Sequence, residues 1–160
     1  MENKTVNILV IFGATGDLAS RKIFPAINEI YNSNKLPENF HIIGCGRKEL
    51  KSNIFKELSS DLLEKSKYLK LDPTLDNDYL VLVKNVNKFQ NKYDNINVIF
   101  YLSLPPTAYK PIINNLVKNN LNSEGSGYRR IIVEKPFGRN LESAKELNTT
   151  LTNGFNESQI

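Results

Sequence analysis

The chain has 160 residues, 40% of them hydrophobic and 24% charged, with a formal net charge of +4. That is enough for one domain with a real core. A single cysteine, Cys45, excludes an internal disulfide and fits a reducing compartment. No Arg/Lys cluster interleaved with aromatics marks the chain for nucleic acid, and the mildly basic balance suits an anionic ligand. Met1–Asn7 lacks a signal-peptide core and no run of about 18 apolar residues exists, so a soluble, cytoplasmic protein without membrane contact is expected. The abundance of Asn and Lys reads as a coding bias rather than a functional tract.

Apolar runs alternate with helical patterns along the chain. The first strand is expected at Asn7–Phe12, with a helix to about Asn34 bearing Ile23, Ile27, Ile30 and Tyr31 on one face. Pro25 kinks that helix or splits off a short first turn. The second strand spans Phe40–Cys45, followed by an amphipathic helix carrying Ile54, Phe55, Leu58, Leu62 and Leu63. A short third strand, Tyr68–Leu71, leads into Asp72-Pro73-Thr74, which opens a helix with Tyr79, Leu80, Leu82, Val83 and Val86. The fourth strand is Asn97–Leu104, and the helix after Pro105-Pro106-Thr107 bears Ile112, Ile113, Leu116 and Val117. The fifth is Arg130–Glu134, and a last helix runs from its N-cap Asn140 to about Thr152. Such alternation implies an α/β fold: a doubly wound, Rossmann-like parallel sheet with right-handed crossovers and helices on both faces.

Ligands of these sheets sit at the carboxyl ends of the strands. Those ends hold Gly13–Gly16, Gly46-Arg47, Asp72, Ser103–Pro106 and Glu134-Lys135-Pro136, so the unusual residues fall on one edge. In Gly13-Ala14-Thr15-Gly16-Asp17-Leu18-Ala19-Ser20, strand, glycine turn and helix follow in the order a dinucleotide fingerprint requires. Gly13 serves the sharp turn, Gly16 the close approach of a pyrophosphate, and Ala19 the tight packing of helix on strand. The helix start offers N–H groups and partial positive charge to the phosphates. Ile11 stands where the commoner pattern has its first glycine.

Arg47 follows the second strand where an NAD enzyme carries Asp or Glu. A guanidinium there accommodates a 2′-phosphate through paired hydrogen bonds, and the Thr15 hydroxyl adds to it, so NADP is expected over NAD. The plain alternative is a solvated arginine paired with Glu49. Asp17 is expected to cap helix N–H groups, because a carboxylate at that point repels phosphate. Lys22 is either part of a solvated face or a contact for an anionic substrate. Lys135 suits a sugar hydroxyl, a carboxamide or a phosphate, and Pro136 is a candidate cis proline aiming it. His41, the only histidine, opens the second strand on the opposite edge and reads as structural; no metal-ligand spacing or nucleophilic triad is present.

Gly13-Ala-Thr-Gly-Asp-Leu-Ala19, Gly46-Arg47, Tyr101-Leu-Ser-Leu-Pro-Pro-Thr-Ala-Tyr109 and Ile131-Ile-Val-Glu-Lys-Pro-Phe-Gly138 together resemble the glucose-6-phosphate dehydrogenase family, in that family's order. The resemblance implies an NADP-binding Rossmann domain over residues 1–152. It implies that the loop Gly13, Ala14, Thr15, Gly16, Asp17, Leu18, Ala19, Ser20 holds the pyrophosphate and that Thr15 and Arg47 meet the 2′-phosphate. Leu104, Pro105, Tyr109 and Lys135 would contact the cofactor. Lys135 also touches glucose 6-phosphate, with Lys22 near the reacting groups, and the Lys135–Pro136 bond is expected cis.

In the complete enzymes so implied, a histidine base takes the C1 hydroxyl proton of glucose 6-phosphate and hydride passes to the nicotinamide, giving lactone and NADPH. The segment between the second and third strands is shorter than the family's. Residues 153–160 read as the start of the next strand or a frayed tail, before the family's sugar-phosphate motif, its catalytic aspartate–histidine pair and its dimerising α+β domain. The expectation is therefore a binding domain without turnover of its own, poorly covered on its apolar surface. An inositol dehydrogenase-like oxidoreductase and a non-catalytic nucleotide-binding module are the alternatives.

Overall fold

A computed structural model describes residues 4–50 and 52–160. The apolar run at the N-terminus forms β1 (Thr5–Phe12), and the chain then alternates β2 (Phe40–Gly46), β3 (Ser66–Lys70), β4 (Asn95–Leu102) and β5 (Arg129–Val133) with helices. The five strands make one sheet in the order β3-β2-β1-β4-β5, every pair parallel. The order reverses at β1, so the switch point of this doubly wound sheet lies between β1 and β4.

Each face of the sheet carries its own core. Val6, Ile8, Val10 and Phe12 of β1 join Val98, Phe100 and Leu102 of β4 beneath α3 (Tyr79–Asn87), α4 (Tyr109–Lys118) and α5 (Leu141–Gly154). On the other face Ile11 and Ile42 meet Ala19, Ile23, Phe24 and Ile27 of the first helical segment, with Phe55, Leu58 and Leu62. That second cover stops short of β5, where Ile132 is 41% exposed.

The helix after β1 begins as a π-helical turn, Ala19–Ile23, and continues as α1 (Phe24–Asn32) with Pro25 in its first turn, so the proline marks the join. The long helix expected after β2 is absent. Asn53 accepts the Phe55 N–H through its side chain at 2.9 Å, residues 54–57 turn, and only α2 (Ser60–Glu64) is helical. Asn28 of α1 fixes this segment by accepting the Ser59 N–H.

Asp72-Pro73-Thr74 does not start a helix. The Asp72 carboxylate accepts both the N–H and the hydroxyl of Thr74, and α3 begins at Tyr79 after a 3₁₀ turn. With that start, Leu80 lies outward at 61% exposure while Tyr79, Leu82 and Val86 are buried. β4 and β5 run two and one residues nearer the N-terminus than expected. Asn140 is the N-cap of α5, its side chain accepting the Ser143 N–H at 2.9 Å. The tail is neither strand nor frayed. Asn156 and Gln159 form a capping box around a 3₁₀ turn, and the buried Gln159 amide donates to the carbonyls of Asn122 and Arg129.

Candidate functional site

Gly13 ends β1 with φ +80°, a left-handed conformation that side chains disfavour. A Cβ there would run into the Ser103 carbonyl and come within 2.8 Å of the Leu104 side chain, so glycine is needed both for the turn and for the contact with β4. The N–H groups of Gly13 and Ala14 both donate to the Cys45 carbonyl, at 3.0 and 3.1 Å, tying the loop to the tip of β2. The Gly16 N–H donates to Gly13 O at 2.9 Å. Among the described residues, the N–H groups of Thr15, Asp17 and Leu18 have no acceptor. These are the donors the helix start leaves for an anion.

Asp17 does not cap this helix. Its carboxylate pairs with Arg21 at 3.0 Å on the exposed surface, and only its carbonyl takes a local bond, from the Ser20 hydroxyl. An arginine one turn on offers the carboxylate a charged partner, and the helix start has no side-chain cap. Ala19 is fully buried and closes the packing of helix on sheet; Leu18 is 37% exposed beside it.

Thr15 and Arg47 are brought together. A cleft of about 130 Å³ at the tips of β1 and β2 is lined by both, with Gly13, Gly16, Gly46 and Leu104. A Cβ on Gly46 would lie 3.3 Å from the Thr15 hydroxyl and 2.8 Å from that of Tyr68, so a side chain at the β2 tip would have to displace the Tyr68 hydroxyl. Glu49 pairs with Lys70 at 2.7 Å instead of with Arg47. Among the described residues Arg47 makes no ion pair; its charge reaches Asp72, whose carboxyl is held low chiefly by its Thr74 hydrogen bonds. Cys45 faces the interior, and burial pushes its thiol up.

A second group forms at the tips of β4 and β5. Tyr101 donates its phenol to the Glu134 carboxylate. The Glu134 N–H donates to the Tyr109 hydroxyl at 3.2 Å, and that hydroxyl donates to the Leu102 carbonyl at 3.4 Å. Tyr109 is fully buried, so the structure places it as a strut between the two strand ends rather than on the cleft wall. Burial, then Glu134, pushes the Tyr101 phenol up to about 12. The Lys135–Pro136 bond is cis, and Lys135 is exposed, as is Pro105 across the edge. Lys135 and Lys22 stand outside the cleft that Thr15 and Arg47 share. The wider groove, about 660 Å³ between α4 and α5, lies on the flank and is bridged by the Lys110–Glu146 ion pair.

The residues that sequence reasoning missed are Tyr68, which also donates to Lys48 O, and the Tyr101–Glu134 bond. Tyr101 carried a signal, since alternation along β4 aims it away from the α3–α4 core. Its partner lies 33 residues on, and no local pattern names it.

Sheet order, glycine turn and cation-lined cleft define a dinucleotide-binding domain of the doubly wound class. The family described as glucose-6-phosphate dehydrogenase, NAD binding domain, matches residues 10–160, and the chain belongs to that family. It is 36% identical over 96% of its length to a glucose-6-phosphate 1-dehydrogenase of Treponema pallidum and 36% identical over 95% to one of Aggregatibacter actinomycetemcomitans. It spans about a third of each relative: 33% and 34%. A solved glucose-6-phosphate dehydrogenase in complex with glucose 6-phosphate superposes with a TM-score of 0.85 at 31% identity, covering 99% of this chain and 36% of that one. The Mycobacterium avium enzyme gives 0.77 at 31% identity, covering 97% and 35%. The family match sets aside the inositol dehydrogenase-like alternative. No described helix is long and apolar enough to cross a membrane, and no three described His, Cys, Asp or Glu side chains cluster as metal ligands.

Proposed function

We propose that this chain is the NADP-holding part of a cytoplasmic glucose-6-phosphate dehydrogenase, with residues 1–152 acting as one cofactor-binding unit. The observation that carries this reading is Arg47, without an acidic partner among the described residues, beside the Thr15 hydroxyl at the strand tip where NAD enzymes keep a carboxylate. The residues present fit the cofactor. Gly13 keeps the loop clear of Cβ atoms, the unbonded N–H groups of Thr15, Asp17 and Leu18 suit the pyrophosphate, and Arg47 with Thr15 suits the 2′-phosphate. Leu104 lines the same cleft, exposed Pro105 follows it at the β4 tip, and Tyr109 braces the ends of β4 and β5.

NADP, when bound, supplies a hydride acceptor. Lys135 serves the nicotinamide half of NADP and, with Lys22, supplies positive charge toward a sugar phosphate, which makes glucose 6-phosphate the substrate of the complete protein. The only histidine in these residues, His41, stands at the amino edge of the sheet, so no histidine base is at the ligand edge. The isolated chain is accordingly expected to bind NADP without oxidising glucose 6-phosphate. Calorimetric titration of the 160-residue chain with NADP and NAD tests the reading. NADP should bind at least about tenfold tighter, the worth of one charge-assisted contact; equal affinities would refute it.

A further inference from the structure

We propose that Tyr101 is a positioning residue for Lys135: by holding the Glu134 carboxylate on β4, it keeps the neighbouring ammonium available to an anionic ligand at the strand tips. The proposal rests on the NADP reading above and adds a residue outside the cleft to it.

The argument starts from the pleat. Ile96, Val98, Phe100 and Leu102 of β4 point into one core, so Tyr101 projects from the opposite face. Tyr101 pairs in register with Ile132 of β5. Glu134 lies two residues beyond Ile132 on the same face, the diagonal position that a long side chain reaches across neighbouring strands. The phenol takes this carboxylate, while the Glu134 N–H is held by Tyr109. Glu134 is thus anchored by side chain and by backbone, one residue before Lys135. Neither Glu134 nor Lys135 enters an ion pair among the described residues, although they are adjacent and of opposite charge. The phenol is pushed up to about 12, so it stays a proton donor throughout the neutral range. Without that donor the carboxylate is free to pair with the Lys135 ammonium next to it in the chain, which would withdraw the cation and set a negative charge beside a phosphate-bearing ligand.

The test is calorimetry on the 160-residue chain with two probes: NADP, and 2′,5′-ADP, which carries the 2′-phosphate but no nicotinamide half. Tyr101→Phe should weaken NADP about three- to fivefold, the scale of one partly exposed charge pair, and leave 2′,5′-ADP unchanged. Tyr101→Phe with Glu134→Gln should recover the loss, because the amide no longer competes for Lys135. A purely structural tyrosine would not be rescued by neutralising a carboxylate. The proposal is overturned if Tyr101→Phe binds NADP like the parent, if both probes weaken equally, or if the double variant stays weak. Failure of the parent chain to bind either probe would overturn the NADP reading itself, a distinct result.

Discussion

The two edges of the sheet use their polar side chains differently. At the amino edge asparagine and aspartate side chains fasten the strand starts to one another. Asn97 donates to Asn7 at 3.0 Å and accepts the Tyr128 N–H at 3.0 Å, Asn39 accepts the Tyr93 hydroxyl and donates to Thr5 O, and Asp94 accepts the Lys4 N–H. These bonds join β1, β2, β4 and the approach to β5 at their starts. At the carboxyl edge Tyr101, Tyr109 and Asp72 are satisfied, but among the described residues Arg47 makes no ion pair, the N–H groups of Thr15, Asp17 and Leu18 have no acceptor, and the buried Ser103 hydroxyl has no partner. An unpaired polar group costs stability, so the contrast separates an edge built to hold the sheet from one built to hold a ligand. The asparagines that composition alone assigned to coding bias include several of the fasteners.

Substitutions sharpen or break this contrast. The largest effect is expected for Gly13→Ala. The left-handed backbone and the collision with the Ser103 carbonyl should cost about 2–4 kcal/mol and remove NADP binding, read by thermal melting and calorimetry. A stable variant that still binds would mean the loop tolerates a side chain. Next, Arg47→Ala should lower NADP affinity about 10- to 100-fold while NAD binding and Tm hold, because no internal partner is left unpaired. The converse is expected at the other edge. Asn97→Ala strips Asn7 of its donor and Tyr128 of its acceptor and should destabilise by about 1–2 kcal/mol without changing nucleotide affinity. Loss of affinity in that variant would show the two edges to be coupled.

How much of this was legible in sequence depends on range. β1, its glycine turn and Arg47 were readable because an unbroken apolar run, a positive-φ residue and a strand-tip cation are local signals. The segment after β2 misled because Ile54, Phe55, Leu58 and Leu62 have helical spacing and are largely buried, yet Asn53 and the distant Asn28 hold their backbone in turns. Tertiary bonds overrode periodicity there. Asp17 misled for a smaller reason: a cap and an i,i+4 partner were both available, and Arg21 won. The Tyr101–Glu134 bond joins two strands through the sheet's register, which exists only once β4 and β5 are aligned.

The smallest expected effect belongs to His41, at the edge assigned to stability. Its ring is half-buried against Phe89, with centroids 4.7 Å apart. Burial first, then the charges of Lys88, Lys65 and Lys92, holds its pKa below the usual imidazole value, outweighing the hydrogen bond to the Lys65 backbone. A lowered folded-state pKa means the unfolded chain binds the proton more readily. The stabilisation is therefore present above about pH 6.5, the unfolded value, and is lost as pH falls from there toward the folded pKa. The carboxylates held low by their partners, Asp72, Asp76 and Glu124, contribute stability that is lost only at more acid pH, so they do not mask this window. Melting temperature should fall modestly from pH 7 to pH 5 in the parent chain and stay flatter in His41→Gln. Lys88→Gln should also shallow the slope, since it removes the largest charge that disfavours imidazolium. A slope that survives both substitutions would move the titrating group away from the amino edge.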